Sequence, residues 1–126
     1  DSLINRQGDS YKLSGILPFQ AKEGELKVGY REINCLKDSP AVEKGVKYKG
    51  HEFHRWEIVK KHEKFNILNT QKNKTERIWE LNGFYTNISK EGYCNKMLHA
   101  SWVHLHWASS AQILNKWKKS IEESII

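Results

Sequence analysis

Most of this chain has the alternation of apolar and polar residues that is typical of β-strands, and only one segment has helical spacing. The single helix cannot cover both faces of a sheet, so we expect the chain to be part of a larger layered domain. The fold class that follows is α/β, a mixed and largely antiparallel sheet with one C-terminal helix. The predicted strand segments are residues 11–19, 26–36, 46–59, 65–68, 78–81 and 97–107.

The clearest local prediction is the C-terminal helix. Ser109 or Ser110 can cap its first turn, because a serine hydroxyl accepts a hydrogen bond from a free backbone N–H there. We expect the apolar side chains that follow at helical spacing to pack on the sheet. These side chains are Ile113, Leu114, Trp117 and Ile121.

Turn signals separate the predicted strands. Gly24-Glu25, Asn82-Gly83 and residues 92–95 contain the glycine and asparagine typical of turns, and Lys37-Asp38-Ser39-Pro40 supplies a further break. Residues 69–76 contain no apolar side chain, so they are predicted to form an exposed loop between two strands of a hairpin.

The charge of the chain restricts its partners. Lys and Arg total 21 against 15 acidic residues, a net charge of +6. The basic residues are spread along the chain and do not form one tract with regularly interleaved aromatic residues. This argues against nucleic acid and leaves a nucleic-acid-binding domain as a weaker alternative. A polycarboxylate substrate would suit such a surface. No apolar run is long enough to cross a membrane and no signal segment is present, so we expect no membrane partner and a cytoplasmic location.

Five histidines lie close together in two segments of the sequence: His51, His54, His99, His104 and His106. Two histidines separated by one residue on a strand point to the same face, a geometry that zinc sites use. A non-enzymatic metal-binding module built on the histidine cluster is therefore an alternative. The His-Glu-Phe-His segment at residues 51–54 is one residue short of the zincin pattern, and on a strand its two histidines point to opposite faces.

Neither cysteine is predicted to be a nucleophile. Activated cysteines usually lie on a tight, glycine-rich turn from a strand into a helix. Cys35 lies at an ordinary strand end, and a strand rather than a helix follows Cys94. The sequence also contains no Gly-x-Ser-x-Gly elbow and no phosphate-binding loop. The chain therefore offers candidate bases and no nucleophile.

Three motifs follow one another in order along the chain. They are Gly-Tyr-Arg-Glu at residues 29–32, Gly-His-Glu-Phe-His at residues 50–54, and Ser-Trp-Val-His-Leu-His-Trp-Ala-Ser at residues 101–109. Together they resemble the C-terminal region of the cobyrinic acid a,c-diamide synthase family, and residues 15–18 and 37–40 also have counterparts there. Trp102 and Trp107 stand where the family usually has Tyr and Phe, and Arg55-Trp56 where Tyr-Ser is common. The resemblance covers nearly the whole chain.

The resemblance implies a class I glutamine amidotransferase domain joined to an ATP-dependent synthetase domain. A cysteine would attack glutamine, a histidine would handle the proton, and ammonia would convert the a and c carboxylates of cobyrinate, a corrinoid polycarboxylate, to amides. Residues 1–126 would be the C-terminal part of the amidotransferase domain. The nucleophile elbow and the ATP- and Mg-binding domain would belong to a missing N-terminal part, so this chain alone is expected to be inactive and to hold no cofactor.

The same resemblance assigns the site residues. The sister family of cobyric acid synthases has one histidine in the last motif, and it falls on His104, which is therefore the implied catalytic base. A hydrogen-bonded core histidine is the alternative for this residue. Gly50, Glu52, His54 and His106 are possible site-lining residues, and no metal ligand is assigned. Glu52 and His54 could equally hold adjacent strands by buried hydrogen bonds.

Overall fold

The computed structural model describes residues 1–17, 19–59, 76–83 and 86–124. Within these ranges it has eight strands, one 3-10 turn and one C-terminal α-helix, and a mixed sheet with one C-terminal helix agrees with the predicted fold class. The strands are β1 Ser2–Ile4, β2 Ser10–Lys12, β3 Gln20–Cys35, β4 Lys47–Ile58, β5 Glu76–Gly83, β6 Thr86–Asn95, β7 Leu98–Ala100 and β8 Val103–Leu105. The 3-10 turn is Trp107–Ser109 and the helix α1 is Ala111–Ser124.

The chain divides into two compact units, and strands β3 and β4 contribute to both. The first unit contains Asp1–Lys27 and His54–Asn73. Of its second segment, the structure describes residues 54–59. Here β1 pairs antiparallel with β2 and parallel with β3. The strand predicted over residues 11–19 is wrong after Lys12, where β2 ends.

The turn predicted at Gly24-Glu25 is also wrong, because β3 runs through it without a break. A Cβ atom at Gly24 would lie 2.9 Å from the side-chain Cδ of Glu57 on β4. The glycine therefore serves close packing between strands rather than a change of direction.

The second unit contains Val28–Phe53 and the chain from residue 74 to the C-terminus. Strand β5 lies between β3 and β6 and pairs antiparallel with both, β6 pairs with β7, and β8 pairs antiparallel with β4. The hydrophobic core of this unit is built mainly from β3, β5 and their neighbours. Its most deeply buried side chains are Ile33, Val42, Ile78, Trp79 and Cys94.

The hairpins of the second unit differ in part from those predicted. Asn82 and Gly83, the predicted turn signal, are the last two residues of β5, and Gly83 pairs with Thr86, the first residue of β6. The strand predicted over residues 65–68 as the hairpin partner of residues 78–81, and most of the predicted loop over residues 69–76, lie outside the described residues. The turn predicted at residues 92–95 is wrong, because β6 extends to Asn95.

The predicted single strand over residues 97–107 is wrong as well, because it is divided into β7, β8 and the 3-10 turn. Hydrogen bonds to the Glu91 carboxylate explain the break between β7 and β8. Oε2 accepts from the Ser101 hydroxyl at 2.5 Å, and Oε1 accepts from the Trp102 backbone N–H at 3.0 Å. The backbone at Trp102 therefore bonds to a side chain instead of a neighbouring strand.

Helix α1 begins directly after Ser110, as predicted, but its packing differs from the prediction. Ile113 is buried at 3% exposure, whereas Leu114, Trp117 and Ile121 are 40–47% exposed. Polar contacts tie the helix to the loop before β4: the ammonium of Lys116 lies 2.8 Å from Asp38, and the Ser120 hydroxyl donates to the Pro40 carbonyl at 3.0 Å. With the helix held in this way, only Ile113 enters the core.

One of the clustered histidines, His99 on β7, is a structural residue of the core. Its Nδ1 lies 2.8 Å from the Ser39 hydroxyl, which also accepts hydrogen bonds from the backbone N–H groups of Ala41 and Val42. The hydroxyl therefore donates to Nδ1, and the imidazole is neutral. Its ring packs edge-on against Trp79, with centroids 4.8 Å apart. Burial lowers the pKa of His99 from 6.5 to about 4.

We predict that this lowered pKa makes the protein less stable in mild acid. Below pH 6.5 the unfolded chain takes up a proton at His99, whereas the folded chain takes it up only near pH 4. The free energy of unfolding should therefore fall by at most about 3 kcal/mol between these pH values and stay level below them. Urea unfolding of the parent and of His99→Gln at several pH values measures this, with His106→Gln as an exposed control. An unchanged pH dependence in His99→Gln would contradict the assignment.

Candidate functional site

Strands β4 and β8 bring two of the three motifs side by side. Gly50 pairs with Leu105, His51 with His104, and Glu52 with Val103. Residues directly opposite each other on antiparallel strands point to the same face, with Cβ atoms about 5 Å apart. His51 and His104 are therefore direct neighbours on one face of the sheet, although they are 53 positions apart in the sequence.

Gly50 and Glu52 lie on the opposite face from this pair. Along β4 the side chains alternate, so that Gly50 and Glu52 are buried while Phe53 is exposed and His51 is partly exposed. His104 is exposed on β8. The side chain of Glu52 and the position of Gly50 are therefore on the opposite face of the sheet from His104. Both residues can affect His104 only by fixing the positions of strands β4 and β8.

Gly50 allows β8 to lie close against β4. A Cβ atom at this position would collide with Cγ1 of Val103, and it would lie 3.0 Å from Cδ1 of Ile33 and 3.1 Å from the His104 carbonyl oxygen. Any side chain would force β8 away from β4 or displace the core below it. The glycine of the second motif therefore fixes the position of the strand that carries His104.

Glu52 forms a buried ion pair with Arg31 of the first motif. The Arg31 Nε donates to Glu52 Oε2 at 2.6 Å, and both side chains are only about a tenth exposed. The Arg31 Nη1 also donates to the Tyr30 carbonyl at 2.9 Å. Gly29 leaves room for this guanidinium, since a Cβ atom there would lie 2.8 Å from Nη1. The first two motifs are thus joined by a charge pair that links β3 to β4.

The outward face of these strands carries a row of aromatic and imidazole rings. Tyr30 packs edge-on against His51 with centroids 5.2 Å apart, and Phe53 lies nearly parallel to His51 at 6.5 Å. Tyr30 is 81% exposed and Phe53 is 59% exposed. We call Tyr30, His51, Phe53 and His104 the histidine face. All three motifs contribute to it.

The two remaining predicted site residues are placed differently. His106 follows β8 in extended backbone and is exposed, so strand alternation directs it to the same side as His104. His54 belongs to the first unit, where its Nδ1 lies 2.9 Å from the Trp56 carbonyl oxygen. Tyr30, His51 and Phe53 are the residues of the histidine face that the sequence analysis did not assign to the catalytic site. Alternation along β4 could have shown the outward direction of His51, but not the strand that faces it.

Neither cysteine is placed to react as a nucleophile, in agreement with the sequence analysis. Cys35 and Cys94 are buried free thiols. Burial raises the pKa of Cys35 to about 12, and it also raises the pKa of Cys94 above its ordinary value. The thiolate is the reactive form of cysteine, so neither residue is a nucleophile near neutral pH.

The alternative of a metal-binding module finds no support in the described part of the chain. Residues 1–17, 19–59, 76–83 and 86–124 contain no group of three or more His, Cys, Asp or Glu side chains placed to hold a metal ion. Within the same ranges no helix has both the length and the apolar character needed to cross a membrane.

The chain is similar to several known a,c-diamide synthases. The chain is 31% identical over 112 residues to the cobyrinate a,c-diamide synthase of Gloeobacter violaceus, a match of 88% of this chain and 21% of that protein. It is 26% identical over 124 residues to the cobyrinate a,c-diamide synthase of a Synechococcus species, covering 97% and 25% respectively. The hydrogenobyrinate a,c-diamide synthase of Streptomyces coelicolor is 25% identical over 113 residues, covering 89% and 22%.

By these similarities the chain is related, as a class, to the a,c-diamide synthases. More particularly, it is a homologue of part of the cobyrinate a,c-diamide synthases, which confirms the predicted resemblance. The chain spans about a fifth to a quarter of the length of these relatives. No family model matches the sequence, and no solved structure matches it.

Proposed function

We propose that this chain is the C-terminal part of the glutamine amidotransferase domain of a cobyrinate a,c-diamide synthase, and that His104 is its general base. The complete protein would be an ATP-driven, glutamine-hydrolysing ligase of cobalamin biosynthesis, located in the cytoplasm. It would use glutamine and a corrinoid polycarboxylate as substrates. ATP and Mg would be bound by the part of the protein outside this chain.

One contrast carries the proposal. His104 is exposed on a face to which all three family motifs contribute, whereas both thiols of the chain are buried and have raised pKa values. A chain that has a candidate base and no reactive thiol is what we expect if the catalytic histidine and the catalytic cysteine come from different parts of the protein. We expect the nucleophilic cysteine to come from the part of the protein outside this chain and to approach the histidine face.

The proton transfers follow from this arrangement. The neutral imidazole of His104 takes the thiol proton as the cysteine sulfur attacks the glutamine carboxamide. The resulting imidazolium returns that proton to the leaving nitrogen, which departs as ammonia and leaves a thioester. His104 then takes a proton from the water that hydrolyses the thioester to glutamate, and the cysteine is restored. The ammonia is consumed in forming the amides.

A paired cysteine substitution tests the division of the site. We expect Cys35→Ala/Cys94→Ala in the full-length protein to keep glutamine hydrolysis within about threefold of the parent, because neither thiol reacts. Glutamate release from glutamine measures the rate, and alkylation before and after denaturation checks that both thiols are buried. A parent without glutamine hydrolysis would refute the proposed function. Activity lost in the folded double variant would place the nucleophile in this chain.

A further inference from the structure

The histidine face contains a second imidazole in a position to act on the first. His51 lies directly opposite His104 across the β4–β8 ladder, and their Cβ atoms are therefore about 5 Å apart. The contacts of His51 with Tyr30 and Phe53 limit the directions in which its ring can turn. His51 is thus a constrained neighbour of an exposed histidine.

Catalytic bases of this kind are commonly oriented by a third group that receives the hydrogen bond from the second ring nitrogen. Glu52, the carboxylate nearest to His51 in the sequence, points to the opposite face and is engaged by Arg31. Among the described residues, strand alternation puts Tyr30 and Glu32 of β3, Lys49 of β4, and His106 after β8 on the side of the pair. Of these groups and His51, only His51 is directly opposite His104 in the register.

We propose that His51 is the positioning residue of His104, an inference that rests on the proposed function. In its neutral form His51 has one ring nitrogen free to accept a hydrogen bond. It accepts the second N–H of His104, fixes the orientation of that ring, and stabilises it when it carries the proton taken from the thiol. Tyr30 and Phe53 hold the His51 ring in place for this purpose. The Gly-Tyr-Arg and Gly-His-Glu motifs thereby both serve the histidine of the third motif.

Two substitutions at His51 separate this role from simple packing. His51→Phe keeps an aromatic ring between Tyr30 and Phe53 but removes the acceptor, whereas His51→Gln keeps an acceptor without the ring. In the full-length protein we expect His51→Phe to lower kcat for glutamine hydrolysis about tenfold with little change in KM. We also expect the acid limb of its pH–rate profile to move to lower pH, because protonated His104 loses a stabilising partner. His51→Gln should restore most of the rate and the position of the limb.

The outcomes distinguish this inference from the function on which it rests. A parent protein without glutamine hydrolysis refutes the proposed function itself, and a His104→Ala variant without a glutamine-specific loss refutes the role of His104 as the base. A His104→Ala variant with that loss, beside a His51→Phe variant with the parent rate and pH profile, refutes only the role of His51. Equal losses of glutamine-dependent and ammonia-dependent synthesis in His51→Phe also refute it, because they would show that His51 supports the fold alone.

Discussion

Replacing His104 by alanine in the full-length protein should lower glutamine-dependent amide formation by about two to four decades, the usual contribution of a general base. Without this imidazole the thiol attacking glutamine loses its proton acceptor, and the leaving nitrogen loses its donor. Synthesis with free ammonia should be largely kept, because under the proposed function the ATP-driven step would take place elsewhere in the protein. Initial rates with glutamine and with an ammonium salt as nitrogen donor measure both quantities in one preparation.

His106→Ala is the matched control for this experiment. His106 is exposed on the same side as His104 and two residues further along, so the two substitutions remove the same group from neighbouring places. We expect the rate with glutamine to change by less than about threefold, mainly through local packing. A larger glutamine-specific loss at His106 than at His104 would assign the base to His106. Equal losses with both nitrogen donors would indicate a folding defect.

The sequence predicted strand β4 and helix α1 best. Strand β4 lies within one residue of the predicted segment at each end, and α1 begins directly after the predicted cap residue Ser110. Both segments are long enough for their periodicity to be unambiguous. In contrast, the helical spacing could not show which apolar side chains of α1 would be buried against the sheet. Packing of that face depends on the Lys116–Asp38 and Ser120–Pro40 contacts, which join parts of the chain about 80 residues apart.

Two glycines that indicate turns in the sequence lie inside strands. Gly24 has Glu57 beside it, and a Cβ atom at Gly92 would collide with Cγ2 of Ile78 and lie 3.1 Å from the Ala100 carbonyl oxygen. At each site the missing side chain makes room for a neighbour from a distant part of the sequence. Local patterns cannot distinguish this use of glycine from a turn, because the neighbour is defined only by the strand pairing.

The candidate site was predictable only in part, for the same reason. The resemblance to a known family indicated His104, and the structure places it as an exposed residue on β8. His51 was visible in the sequence as one of five clustered histidines, yet its pairing with His104 depends on the register of β4 against β8. A shift of that register by one residue would put Gly50 or Glu52 opposite His104 instead.

Breaking the Arg31–Glu52 ion pair should cause the largest loss of stability among the substitutions considered. Glu52→Leu leaves the Arg31 guanidinium buried without its carboxylate, and such unpaired buried charges cost about 3–5 kcal/mol. The free energy of unfolding, measured by urea titration with tryptophan fluorescence, should fall by about this amount. The same variant should lose glutamine-dependent activity, because Arg31 also holds the Tyr30 backbone at the edge of the histidine face.

The double variant Arg31→Met/Glu52→Leu is the matched control, since it removes both charges and keeps side chains of similar length. A buried pair replaced by apolar residues is often nearly neutral in stability. We therefore expect the double variant to recover most of the stability lost by Glu52→Leu, a non-additive result that measures the coupling of the two side chains. Additive losses would mean that the two residues stabilise the fold independently. Recovery of stability without recovery of glutamine-dependent rate would show that Arg31 is needed to position Tyr30 and, through it, His51.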